Sequence, residues 1–116
     1  MKLFYTEQAL KSFQECLDFF PPEVPSEKVN EIRDSILAKA DKLLTNSSLG
    51  QQEEYLEHLG LGHRRVIESN YKIIYRVEGE NIYITDIFDS RQDPAKMKGW
   101  GYRFPTQTQN DTRGSL

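Results

Sequence analysis

Residues 71–88 read YKIIYRVEGENIYITDIF, and this stretch decides the fold. Apolar or aromatic side chains alternate with their neighbours in two runs, first at Tyr71, Ile73, Tyr75 and Val77, then at Ile82, Ile84 and Phe88 against Tyr83, Thr85 and Ile87. A period of two is typical of a strand with one buried face. The polar residues 78–81 separate the runs, and Gly79 can adopt the positive φ of a tight turn. The stretch therefore predicts a β-hairpin.

The residues before the hairpin predict a strand and two helices. Lys2–Tyr5 form a short apolar and aromatic segment, and Thr6 is a candidate N-cap. A first apolar stripe at helical spacing follows at Ala9, Leu10, Phe13, Cys16, Leu17 and Phe20. Pro21 and Pro22 end that helix, because proline lacks the backbone N–H and disfavours helix in the preceding residue.

A second helix is predicted to begin after Ser26, the next N-cap candidate. Its apolar stripe comprises Val29, Ile32, Ile36, Ala40, Leu43 and Leu44, and residues 45–50 end it. Two such helices joined by a proline-containing turn predict a helical hairpin. Residues 51–62 fit either a helical turn or a structured loop, and His63–Glu68 predict another strand before the turn at Asn70.

The predicted order is an N-terminal strand, a helical hairpin and a three-stranded antiparallel sheet, which is an α+β fold. Its length of 116 residues fits one domain, at residues 1–97. Residues 98–116 form a C-terminal tail that begins with aromatic residues and ends with 105–116, a polar stretch expected to be disordered.

Composition excludes several classes of protein. The formal charge is −3, which disfavours a general nucleic-acid binder, and no stretch reaches the roughly 18 apolar residues of a membrane-spanning helix. The N-terminus lacks the continuous apolar core of a secretory signal. A single cysteine, Cys16, excludes an intramolecular disulfide and fits a reducing compartment. We therefore expect a cytoplasmic domain that does not enter a membrane.

No residue pattern predicts a metal, a cofactor or a small-molecule substrate. His58, His63 and Cys16 are the available soft or borderline ligands, and they lack metal-site spacing. The segment from Gly60 to Gly62 lacks the Lys-Ser/Thr pair of a phosphate-binding loop. We therefore expect neither a metal site nor a bound cofactor.

Basic residues cluster in the second half of the chain, at His63, Arg64, Arg65, Lys72, Arg76 and Arg91. Arginines at strand ends can clamp a phosphate or pair with a carboxylate of a partner. The alternative, favoured by composition alone, is the solvated outer face of a half-covered sheet.

Aromatic residues cluster beyond the sheet, at Trp100, Tyr102 and Phe104. They could form a partner-binding arm or fold back over the sheet. We favour the second, because exposed aromatic patches promote aggregation.

Residues 62–77 (GHRRVIESNYKIIYRV) and 82–94 (IYITDIFDSRQDP) resemble the signature of the RelE/ParE superfamily of bacterial toxins. The order of elements over residues 2–97 agrees with that resemblance. It implies a type II toxin–antitoxin module, in which a cognate antitoxin protein wraps and silences the toxin. ParE-like members inhibit DNA gyrase, whereas RelE-like members cut messenger RNA on the ribosome.

The match is closer to ParE, the plasmid stabilisation protein. The tyrosine that RelE-like members carry about six residues after the last-strand arginine is replaced by Met97. The lysine-rich stretch of the ribosome-dependent nucleases is replaced by an acidic one with Glu53, Glu54 and Glu57, which should repel ribosomal RNA. The resemblance thus implies a binding protein rather than an enzyme.

Each reading implies its own site residues. For a gyrase inhibitor the partner-binding residues would be Arg64, Arg65, Arg76, Arg91, Trp100 and Tyr102. For an endoribonuclease, Arg64, Arg65 and Arg91 would clamp phosphates of messenger RNA. His63 or Tyr102 would then be its acid or base. A third reading is a non-toxic remnant that keeps the fold.

Overall fold

The structure, a computed structural model, describes residues 1–99. Two helices, Glu7–Asp18 (α1) and Ser26–Asp41 (α2), and five strands make up the fold. The strands are Lys2–Tyr5 (β1), Gln51–Gln52 (β2), Arg64–Glu68 (β3), Tyr71–Glu78 (β4) and Asn81–Asp89 (β5). Short 3₁₀ segments occupy Lys42–Leu44, Glu54–Leu59 and Pro94–Lys96. The predictions for Trp100, Tyr102 and residues 105–116 lie outside the described residues.

The predicted α+β fold is confirmed, but its sheet has more strands than the three antiparallel ones that the sequence predicted. All five strands form one mixed sheet in the order β1-β5-β4-β3-β2. β1 runs parallel to β5, with Leu3 opposite Ile82, and the other neighbours are antiparallel. The 51–62 segment that the sequence left open contributes β2 and the 3₁₀ segment at Glu54–Leu59.

The two helix starts differ in their capping. Thr6 caps α1 as predicted, because its Oγ1 accepts from the Ala9 N–H at 3.0 Å and donates to the Ile84 carbonyl at 3.1 Å. The prediction of Ser26 as a cap is wrong: Pro25 occupies the cap position, and no side chain caps α2 there. Ser26 is already the first helical residue, so its hydroxyl is one position too late.

The main core lies between the helices and one face of the sheet, here called the helix-covered face. α1 and α2 contribute Ala9, Phe13, Ile36 and Ala40, all fully buried. They pack on alternate strand residues, namely Leu3, Tyr5, Val66, Tyr71, Ile73, Tyr75, Ile82, Ile84 and Ile87. The predicted stripes of both helices therefore face this core for most of their length, but the inclusion of Leu44 is wrong: it lies in the 3₁₀ segment after α2 and is 40% exposed.

A β-bulge corrects the predicted alternation in β5. Ile74 pairs with Asp86 and Tyr75 with Ile84, so that Thr85 has no opposite residue. The extra residue shifts the phase of everything after it. Ile87 therefore joins the helix-covered face, whereas Phe88 lies on the other face. The sequence pattern predicted the reverse for these two residues.

The Tyr75 hydroxyl ties the loop after α2 to the sheet. It accepts from the Gly50 N–H at 2.9 Å and donates to the Ser47 carbonyl at 2.8 Å. A Cβ at Gly50 would lie 2.5 Å from the Arg65 carbonyl oxygen, so this close approach requires glycine. These contacts hold the loop so that β2, which follows it, pairs with the edge of β3.

Candidate partner-binding surfaces

The second face of the sheet, here called the outer face, is covered by loop and tail rather than by helices. A small apolar group forms there from Leu56, Ile74, Phe88 and Met97, with Leu59 packed against it. Leu56 and Leu59 come from the 3₁₀ segment at Glu54–Leu59, and Met97 comes from the segment after the sheet. The segment between the sheet and the tail therefore covers part of this face with Met97.

Glu53 is a buried carboxylate at the edge of this group. Its Oε1 lies 3.3 Å from Lys72 Nζ and 3.5 Å from an Arg65 guanidinium nitrogen, and its Oε2 accepts from the Tyr55 N–H. Its side chain is 0% exposed. The prediction that Glu53 belongs to an acidic, RNA-repelling surface is therefore wrong, because the two cations neutralise it; Glu54 and Glu57 do face solvent.

Arg64 and Arg65 bind the chain's own loop. Arg64 Nε donates to the Gly50 carbonyl at 3.1 Å. Arg65 donates to the Gln52 carbonyl at 2.6 Å and to the Gln51 side chain at 3.1 Å, besides pairing with Glu53. The guanidinium groups thus hold β2 and the loop in place.

Arg76 lies near the C-terminal end of β4, whereas Arg91 lies beyond β5, next to the N-terminal end of β4. Arg76 Nε donates to the Leu61 carbonyl at 2.9 Å, and only 10% of its side chain is exposed. Arg91 follows β5, which ends opposite Tyr71, and 61% of its side chain is exposed. The four predicted arginines therefore do not form one cluster.

Arg91 makes a two-pronged contact with Asp89. Its Nε and Nη2 donate to the two carboxylate oxygens at 2.9 and 2.7 Å. These hydrogen bonds from Arg91 lower the pKa of Asp89. The pairing fixes the plane of the guanidinium, while most of the side chain remains exposed to solvent.

His63 is buried beneath the tail. Its Nε2 lies 3.2 Å from the Gly99 carbonyl oxygen, which can only accept, so Nε2 is the donor. Burial lowers the pKa of His63 to about 4. At neutral pH the imidazole is therefore uncharged and lies 2% exposed, which makes it a poor general acid for a phosphate leaving group. Tyr102, its predicted alternative, lies outside the described residues.

A cleft that the sequence reasoning missed opens between α1 and the end of β5. Its volume is about 650 Å³, and Asp86 lies in its wall with a 1% exposed side chain. Burial raises the pKa of Asp86 to about 6. The one signal in the sequence was the carboxylate of Asp86 within the largely apolar run ITDIF. The alternation of buried and exposed positions in the predicted strand did not account for it.

Cys16 and the histidines show no sign of metal binding. Burial raises the pKa of the Cys16 thiol to about 11, which makes it a poor nucleophile. Across residues 1–99, no group of three or more His, Cys, Asp and Glu side chains could hold a metal ion. No helix in the same part of the chain is long and apolar enough to cross a membrane.

The mixed sheet with two helices on one face and a loop and tail on the other defines a small α+β fold. Residues 3–94 match the family described as ParE toxin of type II toxin-antitoxin system, parDE. The chain therefore belongs to the ParE toxin family.

A solved structure has the same fold. It is described as the chromosomal ParDE TA system from P. aeruginosa, with a TM-score of 0.63 and 20% sequence identity. The alignment covers 77% of this chain and 95% of the other. No curated protein matches the chain.

Proposed function

We propose that this ParE-family toxin acts in the cytoplasm by inhibiting DNA gyrase and is neutralised by a cognate antitoxin. The family match over residues 3–94 carries this proposal. The structural relative is itself described as a ParDE system, which supports a protein antitoxin as partner. On this proposal the chain acts by binding and needs no cofactor.

The state of the predicted nuclease residues supports binding over catalysis. Arg64 and Arg65 are engaged by the loop before β3, and His63 is neutral and covered by Gly99. A nuclease needs an acid or base within reach of the scissile phosphate and cations free to stabilise its charge. Neither requirement is met by these three side chains as they are placed.

Arg91 is the best placed of the proposed partner-binding arginines. It is 61% exposed, whereas Arg65 and Arg76 are 15% and 10% exposed. We therefore assign contact with gyrase to Arg91 and to the proposed tail residues Trp100 and Tyr102. Arg64, Arg65 and Arg76 serve this surface by holding the loops around β3 and β4 in place.

Induced expression of the chain without antitoxin tests the proposal. Growth arrest with an SOS response and double-stranded DNA breaks is the expected result. Arrest with transcripts cut at codon boundaries would instead support a RelE-like endoribonuclease. Unimpaired growth with soluble, folded protein would support a non-toxic remnant of the fold.

A matched pair of variants localises the toxic surface. Arg91→Gln should reduce growth arrest, because it removes the exposed guanidinium beside Asp89. Arg33→Gln is the control, since Arg33 is also exposed and also pairs with a neighbouring aspartate, Asp34, but lies on α2. Equal toxicity of the two variants and the wild type would refute the role of Arg91.

A further inference from the structure

The cleft beside α1 has the size and chemistry of a side-chain binding site. At about 650 Å³ it lies within the range of roughly 300–1,000 Å³ that ligand pockets occupy. Ser12 and Cys16 line it from α1, Asp86 and Phe88 from β5, and Lys98 from the tail. Its surface is thus apolar for the most part, with one deeply placed carboxylate.

Asp86 is the polar group aimed into this cleft. Its Oδ2 accepts from the Lys98 N–H at 2.8 Å, whereas its Oδ1 has no hydrogen-bond partner within residues 1–99. A buried carboxylate oxygen without a partner costs free energy in the isolated chain. The Ser12 hydroxyl and the Ile87 N–H also favour the charged form of Asp86, but neither makes a hydrogen bond to Oδ1. A donor from outside the described fold would remove that cost.

Phe19 supplies an apolar anchor at the rim of the same cleft. It caps the C-terminus of α1 and is 82% exposed, more than any other large hydrophobic residue in the described part of the chain. A single exposed phenylalanine needs no explanation, but Phe19 continues into the apolar lining of the cleft, and a contiguous apolar surface is typical of a site that a partner covers. Cys16 and Phe88 extend the apolar surface from Phe19 inward.

We propose that this cleft receives a segment of the antitoxin in which a basic side chain is flanked by apolar ones. The inference rests on the proposed function, which supplies the antitoxin. The basic group would donate to Asp86 Oδ1, and the apolar neighbours would cover Phe19. Charge complementarity favours a cation in the cleft. Arg91 pairs with Asp89, so the carboxylates of Asp86 and of the rim residue Glu15 have no arginine from residues 1–99 bound to them. Lys96 and Lys98 at the other rim disfavour an overall strongly basic segment.

Dissociation of the purified toxin–antitoxin complex tests this site. The antitoxin is the product of the neighbouring gene, co-expressed with each toxin variant. Asp86→Asn keeps an acceptor for the Lys98 N–H but removes the charge, and Phe19→Ala removes the rim anchor. Each should weaken binding about tenfold or more, as expected for a charge-assisted hydrogen bond or an aromatic anchor. The melting temperature of each free variant verifies its fold.

Two control variants remove the same groups elsewhere. Glu54→Gln neutralises an exposed carboxylate of the 3₁₀ segment, and Tyr55→Ala removes an aromatic ring that is 54% exposed. Both lie outside the cleft and should change affinity less than about threefold, the usual effect of a surface substitution. Cleft variants that bind like the wild type, or that lose no more affinity than the controls, would overturn this inference.

The two failures are distinguishable. A wild-type chain that forms no complex with the neighbouring gene product would refute the proposed antitoxin and the cleft together. If the wild-type complex forms and the Asp86→Asn and Phe19→Ala variants bind the antitoxin with unchanged affinity, the cleft alone is refuted.

Discussion

The two faces of the sheet are stabilised in different ways. The core of the helix-covered face is built from apolar and aromatic side chains packed against α1 and α2, including Phe13, Ile36 and Ile73 at 0% exposure. The outer face buries a smaller apolar group, and charged residues such as Glu53 and Asp86 are buried with it. One face is therefore a conventional core, and the other is a polar framework that holds a loop and a tail.

This difference separates stability from function. Apolar burial stabilises the fold without needing exact partners, whereas buried polar groups stabilise it only when each is satisfied. Glu53 is satisfied by two cations, but Asp86 retains an oxygen without a partner in residues 1–99. We therefore infer that the fold's stability comes mainly from the helix-covered face, and the proposed binding groups lie at the end of β5.

The largest effect is expected from the core between the helices and the sheet. Phe13→Ala should lower the free energy of unfolding by about 3–5 kcal/mol, because it removes a fully buried ring. Met97→Ala on the outer face should cost about 2 kcal/mol, since this side chain packs at the margin of a smaller group. Urea denaturation measures both. A larger loss for Met97→Ala would invert the comparison.

Asp86 gives the second largest effect, with the opposite sign. Its pKa of about 6 lies above the ordinary 3.8, so the destabilisation of the folded state grows as pH rises from about 4 to 6 and is complete above pH 6. Asp86→Asn should therefore stabilise the chain by about 2 kcal/mol at pH 7. The gain should shrink as pH falls through 6 and vanish near pH 4. A gain that does not vary with pH would contradict the assignment.

His63 gives the wild type an opposing pH dependence. Its pKa of about 4 lies below the ordinary 6.5, so its contribution to stability is present above pH 6.5 and is lost as pH falls towards 4. The two groups offset each other between pH 6 and 4 in the wild type. In Asp86→Asn the His63 effect is no longer offset, so the stability of this variant should decline with acid more steeply than that of the wild type, while the lowered pKa of Asp89 contributes equally to both.

Glu53 is expected to have a moderate effect. Glu53→Gln should cost about 1–2 kcal/mol, because Arg65 and Lys72 lose a buried counter-ion but keep contact with solvent. Glu54→Gln, its exposed neighbour, should change stability by less than about 0.5 kcal/mol. Equal effects in chemical denaturation would show that the buried triad is not stabilising.

The smallest expected effect distinguishes the two helix starts. Thr6→Ala should cost about 1 kcal/mol, because Thr6 accepts from the Ala9 N–H. Ser26→Ala should cost less than about 0.5 kcal/mol, since Ser26 makes no capping hydrogen bond. Thermal unfolding of the two variants is the measurement, and a greater loss at Ser26 would contradict the assigned caps.

Features set by local periodicity were predictable from the sequence. The hairpin at 71–88, both helices and the Thr6 cap follow from spacing and from proline placement within a few residues. The bulge was not predictable, because Thr85 fits the strand pattern and its extra position appears only in the pairing of Ile74 with Asp86. One residue of shift exchanged the faces of Ile87 and Phe88.

Features that depend on distant contacts were missed. Glu53 lies in a segment whose composition is that of an exposed acidic surface. It is buried because Arg65 and Lys72, which follow it by 12 and 19 residues, pair with its carboxylate. The cleft likewise joins Ser12 to Asp86 across most of the chain. The basic residues were correctly noticed, but the sequence gives no indication that carbonyl groups of the chain engage Arg64 and Arg76.

Purified toxin incubated with DNA gyrase and supercoiled plasmid tests the central claim most directly. The account predicts loss of supercoiling activity with accumulation of cleaved DNA, reversed by the antitoxin and reduced in Arg91→Gln but not in Arg33→Gln. Undisturbed gyrase, together with messenger RNA cleaved when the same preparation is added to translating ribosomes, would contradict it.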